Sequence, residues 1–235
     1  MRVLAIVHQS DSGPGVFLDA IAAARAELHT WVPALEPSAP SAAEAYDAIL
    51  TFGGSAHPVQ DDVYPWLTVE KRFLAQAIRA RVPLFGVCLG SQLIAEAVGT
   101  HARRCARPEI GWFEAWLTDD AATDPVVGPL AGRFQALQWH SYEVPLPAGA
   151  TALAYSDACL QSYRIDDRIW GVQFHPEVTG EDFQHWLEVD GADEDAVGMG
   201  LDVSAVAAQT RERIESWNRL GHGLCERFLR VASQL

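Results

Sequence analysis

The sequence predicts an α/β fold built on a doubly wound, mostly parallel sheet flanked by helices, and three observations carry that prediction. Short apolar runs of strand character alternate with segments whose apolar residues recur at helical spacing. The connections between them are short, which favours neighbouring elements and parallel crossovers. The runs also end in glycine-containing turns, as buried strands do when they leave a sheet. In such sheets ligands bind beyond the carboxyl ends of the strands.

Arg2 to Val7 reads as the first strand, ending in the polar and glycine-rich stretch Gln9 to Gly15. Val16 to Leu28 reads as helix, and Asp47 to Phe52 as a second strand closed by Gly53-Gly54-Ser55. Trp66, Val69, Phe73, Leu74, Ala77 and Ile78 share one helical face, so Trp66 to Ala80 should lie on the sheet. Val82 to Val87 is a third strand that runs into Cys88 and the helix Ser91 to Val98, which Gly99 ends. From about Ile110 the texture becomes β-like, with Gly111 to Thr118 and Phe134 to Trp139. A small β hairpin of Leu160 to Ile165 and Arg168 to His175 turns at Asp166-Asp167. Glu188 to Gly200 is acidic and glycine-containing and reads as an exposed loop. The chain closes with C-terminal helices, Val203 to Val231, in which Gly221 and Gly223 are expected to weaken or bend the helix. With no internal repeat or low-complexity linker, residues 1–235 are read as one domain, a catalytic core (1–180) with a helical C-terminal extension (181–235).

Composition narrows the function classes. The chain has 17 basic and 31 acidic residues among 235, a net charge of −14, and Lys71 is its one lysine. That field disfavours nucleic-acid binding, which depends on clustered cations. Arg103, Arg104 and Arg107 form the only local basic cluster, which reads as a solvated face. Cys88, Cys105, Cys159 and Cys225 contain no C-x-x-C pair and suit neither a disulfide framework nor a zinc site. No apolar run reaches membrane-spanning length and the start is too short in apolar residues for a signal peptide, so a cytoplasmic location is expected.

Gly86-Val87-Cys88-Leu89-Gly90, between a buried strand and a helix, has the form of a nucleophile elbow. Its glycines permit a tight turn, and the helix that follows aims backbone N–H groups at the cysteine, which favours the thiolate. Downstream, Gly171-Val172-Gln173-Phe174-His175-Pro176-Glu177 places His175 on the strand face of Gly171, whose missing side chain leaves space. Pro176 ends the ladder there, and Glu177 can hold the imidazole. Nucleophile, base and orienting acid are therefore all available. A peptide N–H of the loop Phe52-Gly53-Gly54-Ser55 can face the reacting carbonyl, with the N–H of Leu89 as a second donor. His8 and Gln9 also reach the reactive edge, while Glu96 reads as a packing residue.

These three motifs, in this order and with Glu109-Ile110-Gly111-Trp112, resemble the class I (triad) glutamine amidotransferase family, most closely its GMP synthase-like branch. The resemblance covers roughly Arg2 to Glu177 and implies a flavodoxin-like fold and glutamine as substrate. It implies Cys88 as nucleophile, His175 as general acid/base, Glu177 as its orienter, Gly54 and Leu89 as oxyanion donors and Gln92 as a substrate ligand. It also implies that His140, Ser141 and Tyr142, in a loop after a central strand, help bind the amino-acid end of glutamine. No metal or organic cofactor is called for.

Two positions depart from the family pattern. Tyr142 stands where relatives often carry an acid, so Glu143 substitutes, backbone carbonyls suffice, or the preferred substrate differs. Ser55 stands where proline commonly follows the two glycines, which bears on the rigidity of that loop. No P-loop occurs, so an ammonia-accepting synthetase subunit would be a separate polypeptide. The alternatives are a free-standing γ-glutamyl hydrolase or peptidase using the same triad, and a non-catalytic or redox-sensing protein on the same fold.

Overall fold

Apolar runs build the parallel half of the sheet. β1 (Arg2–Ile6) pairs in parallel with β2 (Glu27–Trp31) and β3 (Ala48–Thr51); β4 (Leu84–Val87) joins β3 to β9 (Ile169–Val172). These belong to a computed structural model that describes all 235 residues. Residues of β1 alternate between two hydrophobic cores: Val3 and Ala5 face one, Leu4 and Ile6 the other. Burial on both faces is why these strands read as continuous apolar runs.

Helices cover both faces. α1 (Phe17–Ala23) supplies Phe17, Ala20 and Ile21 to the first core, while α2 (Trp66–Arg79) and α3 (Leu89–Ala97) supply Phe73, Leu74, Leu93 and Ile94 to the second. The expected helix Val16 to Leu28 stops early. Arg25 adopts φ 51°, and the N–H of Ala26 returns to Ile21 O at 3.2 Å, a left-handed turn that ends the helix and releases the chain into β2. Pairing with β1 overrides the helical propensity of this stretch.

The second half of the sheet is antiparallel: β8 (Leu160–Ile165), β7 (Ala150–Tyr155), β5 (Arg103–Leu117) and β6 (Arg133–Glu143) follow β9 in that order. The expected hairpin is β8 and β9, turning at Asp166 with φ 52°. β9 stops at Val172, so His175 lies beyond the strand. β6 is longer than expected and carries His140, Ser141 and Tyr142, which are therefore strand residues and not loop residues.

The acidic stretch expected as a loop contains the end of α4 (Gly180–Val189) and the short α5 (Glu194–Gly198), capped by Asp193 through Ala196 N–H at 2.6 Å. α6 (Val203–Ala232) runs unbroken through Gly221 and Gly223. Gly221 serves a close approach rather than a bend: a Cβ there would lie 1.8 Å from the carbonyl oxygen of Pro176. α6 buries Trp217, Leu224 and Phe228 in the first core, each contributing roughly 1.5–3 kcal/mol. No helix is long and apolar enough to cross a membrane.

Candidate active site

Cys88 sits between β4 and α3 with φ 50° and ψ −111°, a strained conformation for a side chain bearing a Cβ. Three hydrogen bonds hold it: Cys88 N–H to Val172 O (2.8 Å), Gln92 N–H to Cys88 O (3.0 Å) and Gly90 N–H to Phe52 O (2.9 Å). The flanking glycines are required by contact. A Cβ at Gly90 would lie 2.2 Å from Thr51 O, and one at Gly86 2.7 Å from Ser91 N. The thiol donates weakly to Trp139 O at 3.6 Å.

His175 is fixed from every side. Its N–H donates to Leu137 O (2.8 Å), its carbonyl accepts from Trp217 Nε1–H (2.7 Å), and Trp186 packs edge-on at 4.9 Å between ring centroids. Nδ1–H donates to Glu177 Oε1 at 2.8 Å, which leaves Nε2 for other work. Burial alone would lower the pKa of this imidazole, but the charges of Glu177 and Cys88, with the hydrogen bond to Glu177, raise it to about 10. Gly53 brings the two together: a Cβ there would lie 2.7 Å from His175 Cε1 and 3.8 Å from Cys88 Cβ. The space left by the missing side chain of Gly171 is occupied by neighbouring side chains. Tyr163 and the Ser91 hydroxyl fill it, and a Cβ would lie 2.4 Å from the phenol ring.

Neither Gly54 N–H nor Leu89 N–H donates to any protein acceptor, and both residues line one pocket with Cys88. An arrangement that sequence reasoning left open aims the first of them. His8 Nδ1–H donates to Gly53 O (2.9 Å) and Nε2–H to Glu70 Oε2 (2.7 Å), while Thr51 Oγ1–H donates to Glu70 Oε1 (2.8 Å). Burial opposes the charged imidazole, yet Glu70 and the bond to Gly53 raise its pKa. In a trans peptide the carbonyl and the following N–H point opposite ways, so tethering Gly53 O turns Gly54 N–H away from His8. Ser55 N–H is tied to Gln9 Oε1 at 2.8 Å, which restrains the loop where a proline ring would otherwise do so.

The pocket encloses about 350 Å³. Gln92 lines it, its Nε2 donating to Tyr142 O (2.8 Å) and Gln173 Oε1 (3.0 Å). Tyr142 stacks on His57 with centroids 4.4 Å apart, and His140, although it borders the pocket, turns its ring nitrogens to Glu109 and to Tyr142 O. Glu143 does not line the pocket; it pairs with Arg103 at 3.0 Å. Carboxylates reach the rim instead from Asp190, Asp193, Glu194 and Asp195, of which Asp195 pairs with Arg104. Glu96 accepts the backbone N–H of Ala102 at 2.7 Å, a structural role.

Residues 181–235 thus do more than extend the core. Trp186 and Asp190 line the pocket, and Trp217 and Gly221 brace the His175-Pro176-Glu177 segment. The sequence signals were present in His8 at the end of the first strand and in a glycine at the middle of a helical stripe. Only the three-dimensional partners give them meaning.

An elbow cysteine, a carboxylate-tethered histidine and two free N–H groups meet at one pocket on an α/β sheet, a candidate cysteine-dependent active site, and likeness to known proteins gives the family. Residues 17–191 match the family model described as glutamine amidotransferase class-I, and the chain belongs to that family. It is 31% identical over 186 residues to the glutamine amidotransferase-like protein YfeJ of Salmonella typhimurium, covering 77% of each chain. It is 33% identical over 110 residues to one of the subunits of the glutamine-hydrolysing GMP synthase of Methanococcus maripaludis, covering 46% of this chain and 57% of that protein. It is 32% identical over 149 residues to the γ-glutamyl-L-1-hydroxyisopropylamide hydrolase of a Pseudomonas species, covering 59% of this chain and 49% of that protein. The crystal structure of a glutamine amidotransferase from Thermotoga maritima shares the fold, with a TM-score of 0.86 over 97% of this chain and 98% of that one at 24% identity.

Proposed function

We propose that this enzyme hydrolyses the side-chain amide of glutamine through Cys88, His175 and Glu177. The Cys88 thiolate attacks the amide carbon, and the tetrahedral oxyanion is stabilised by the N–H groups of Gly54 and Leu89. His175, its Nδ1–H held by Glu177, protonates the departing ammonia from Nε2. A γ-glutamyl thioester remains on Cys88, and water deprotonated by His175 releases glutamate. Gln92 and the Tyr142 carbonyl shape the wall against which the amino-acid end of glutamine rests, with Ser141 and His140 behind it, and the carboxylate rim at Asp190 and Asp193 faces its ammonium group.

The observation that carries this reading is the pairing of a strained Cys88 at the N-terminus of α3 with an imidazole tethered by Glu177 and raised to about 10, next to two unspent backbone donors. Residues 1–235 then act as one amidotransferase domain, and the ammonia passes to an acceptor on a separate synthetase polypeptide, as the likeness to a GMP synthase component supports. A second reading, hydrolysis of γ-glutamyl amides with no ammonia acceptor, is favoured by a pocket that continues past Cys88 to Arg104 and Asp195, and by the likeness to a γ-glutamyl amide hydrolase. Glutamate release measured with glutamine and with γ-glutamyl amides of increasing size separates the two. Turnover of glutamine at least matching that of the larger amides supports the first reading. Turnover of the amides with none of glutamine overturns it.

A further inference from the structure

A second set of cysteine, histidine and carboxylate lies on β5 and β6, and the proposed hydrolysis uses none of its chemistry. Glu109 Oε2 accepts from His140 Nε2 (3.0 Å), Ser156 Oγ (3.1 Å) and Gln161 Nε2 (2.8 Å). His140 Nδ1–H is shared between Tyr142 O (3.1 Å) and the sulfur of Cys105 (3.6 Å). The Cys159 sulfur lies within 4.8 Å of a ring nitrogen of the same His140 and is steadied by Gln161 Nε2–H at 3.4 Å. All of these side chains are buried, and Cys105 borders a cleft with Arg107, Asp157 and Met199.

Glu109, His140 and Cys159 bring donor atoms within 4.8 Å of one another, a spacing that could suit a cation. The Gln161 amide nitrogen already stands among them, donating to Glu109, Cys159 and Ser156. With that centre filled by a donor, the remaining chemistry belongs to the two thiols. A cysteine on an imidazolium, with a second thiol beside the same ring, has the parts of a reactive and a resolving cysteine.

We propose that Cys105 is a peroxide-reactive cysteine and Cys159 its resolving partner. The Cys105 thiolate attacks one oxygen of a hydroperoxide. An S–O bond forms, the O–O bond breaks, and the other oxygen leaves as an alcohol or water after taking up a proton, so sulfur is oxidised and peroxide reduced. The Cys159 sulfur then attacks the sulfenic sulfur. An S–S bond forms, and hydroxide leaves as water with the Cys159 proton. His140 holds the attacking thiolate and Glu109 holds His140. The titration of the pair fits this division: Cys159, then His140, lowers Cys105 against the opposing effect of burial, whereas Cys105, then burial, raises Cys159.

The test uses the full chain with Cys88→Ser, which removes the other reactive thiol. One equivalent of hydrogen peroxide is added, free thiols are blocked, and the peptides are mapped by mass spectrometry. A Cys105–Cys159 disulfide with unmodified Cys225 is expected. Adding Cys159→Ser should leave a Cys105 sulfenic acid that a 1,3-dione traps, and His140→Gln should slow Cys105 oxidation at neutral pH at least about tenfold. Cys105 oxidising no faster than Cys225, or a sulfenic acid persisting beside reduced Cys159, overturns the proposal. So does one equivalent of zinc chloride binding tightly and protecting both thiols.

Discussion

Cys88–His175–Glu177 and Cys105–His140–Glu109 use the same three residue types, and in both the histidine is raised to about 10. Their surroundings differ. Around Cys88 the backbone is strained, two N–H groups are unspent, and a pocket of about 350 Å³ opens on the sulfur. Around Cys105 nearby donors are spent: Gln161 and Ser156 satisfy Glu109, and a second thiol stands beside the same imidazole. A thiolate and an imidazolium make a nucleophile, but amide hydrolysis also needs somewhere to put the negative charge of the tetrahedral intermediate. On the proposed reading, the first set has that place and the second does not.

The largest effect should come from the nucleophiles themselves. Cys88→Ala should lower glutamine hydrolysis by about 10⁴-fold or more, measured as glutamate release, while Cys105→Ala stays within about tenfold of wild type. Equal losses would erase the distinction between the two sets. Next comes the brace that only the first set has. Gly221→Ala places a Cβ 1.8 Å from Pro176 O, so urea denaturation should show a loss of about 1–3 kcal/mol, with hydrolysis falling as the His175 segment is pushed aside.

On the proposed reading, Glu70→Gln should act on the Gly54 oxyanion donor at a distance. Weakening His8 loosens Gly53 O and hence the direction of Gly54 N–H, so kcat should fall by roughly 10- to 100-fold with less change in KM. The smallest effect is on pH dependence. The raised pKa of His175 contributes stability that is fully present below its ordinary 6.5 and lost as pH rises through about 10. Glu177→Gln removes part of that contribution, so the denaturant midpoint should decline less steeply between pH 6.5 and 10 than in wild type, where His8 and His140 also take part.

What was legible in the sequence follows the range of the interactions. The elbow at Cys88, the hairpin at Asp166 and the His175–Glu177 pair are set by neighbours within a few residues, and the sequence displays them directly. β2 was hidden because an alanine-rich helix runs into it and only pairing with β1 decides its state. The His8–Glu70 contact spans 62 residues and the Cys105–His140 contact 35, so neither has a local signature. His140 to Tyr142 looked like a loop because its long antiparallel partner, β5, shows itself only in the sheet register. Gly221 looked like a helix breaker because the carbonyl it admits comes from Pro176, far along the chain.

The central claim is that hydrolytic chemistry resides at Cys88 and nowhere else. A glutamine analogue carrying a diazoketone in place of the side-chain amide alkylates a thiolate that is presented to the substrate carbonyl position. Incubated with the wild-type chain and followed by peptide mapping, it should place one adduct on Cys88, leave Cys105 unlabelled, and abolish glutamate release in proportion to labelling. Labelling of Cys105 in step with inhibition, or full inhibition with Cys88 unmodified, would contradict the account.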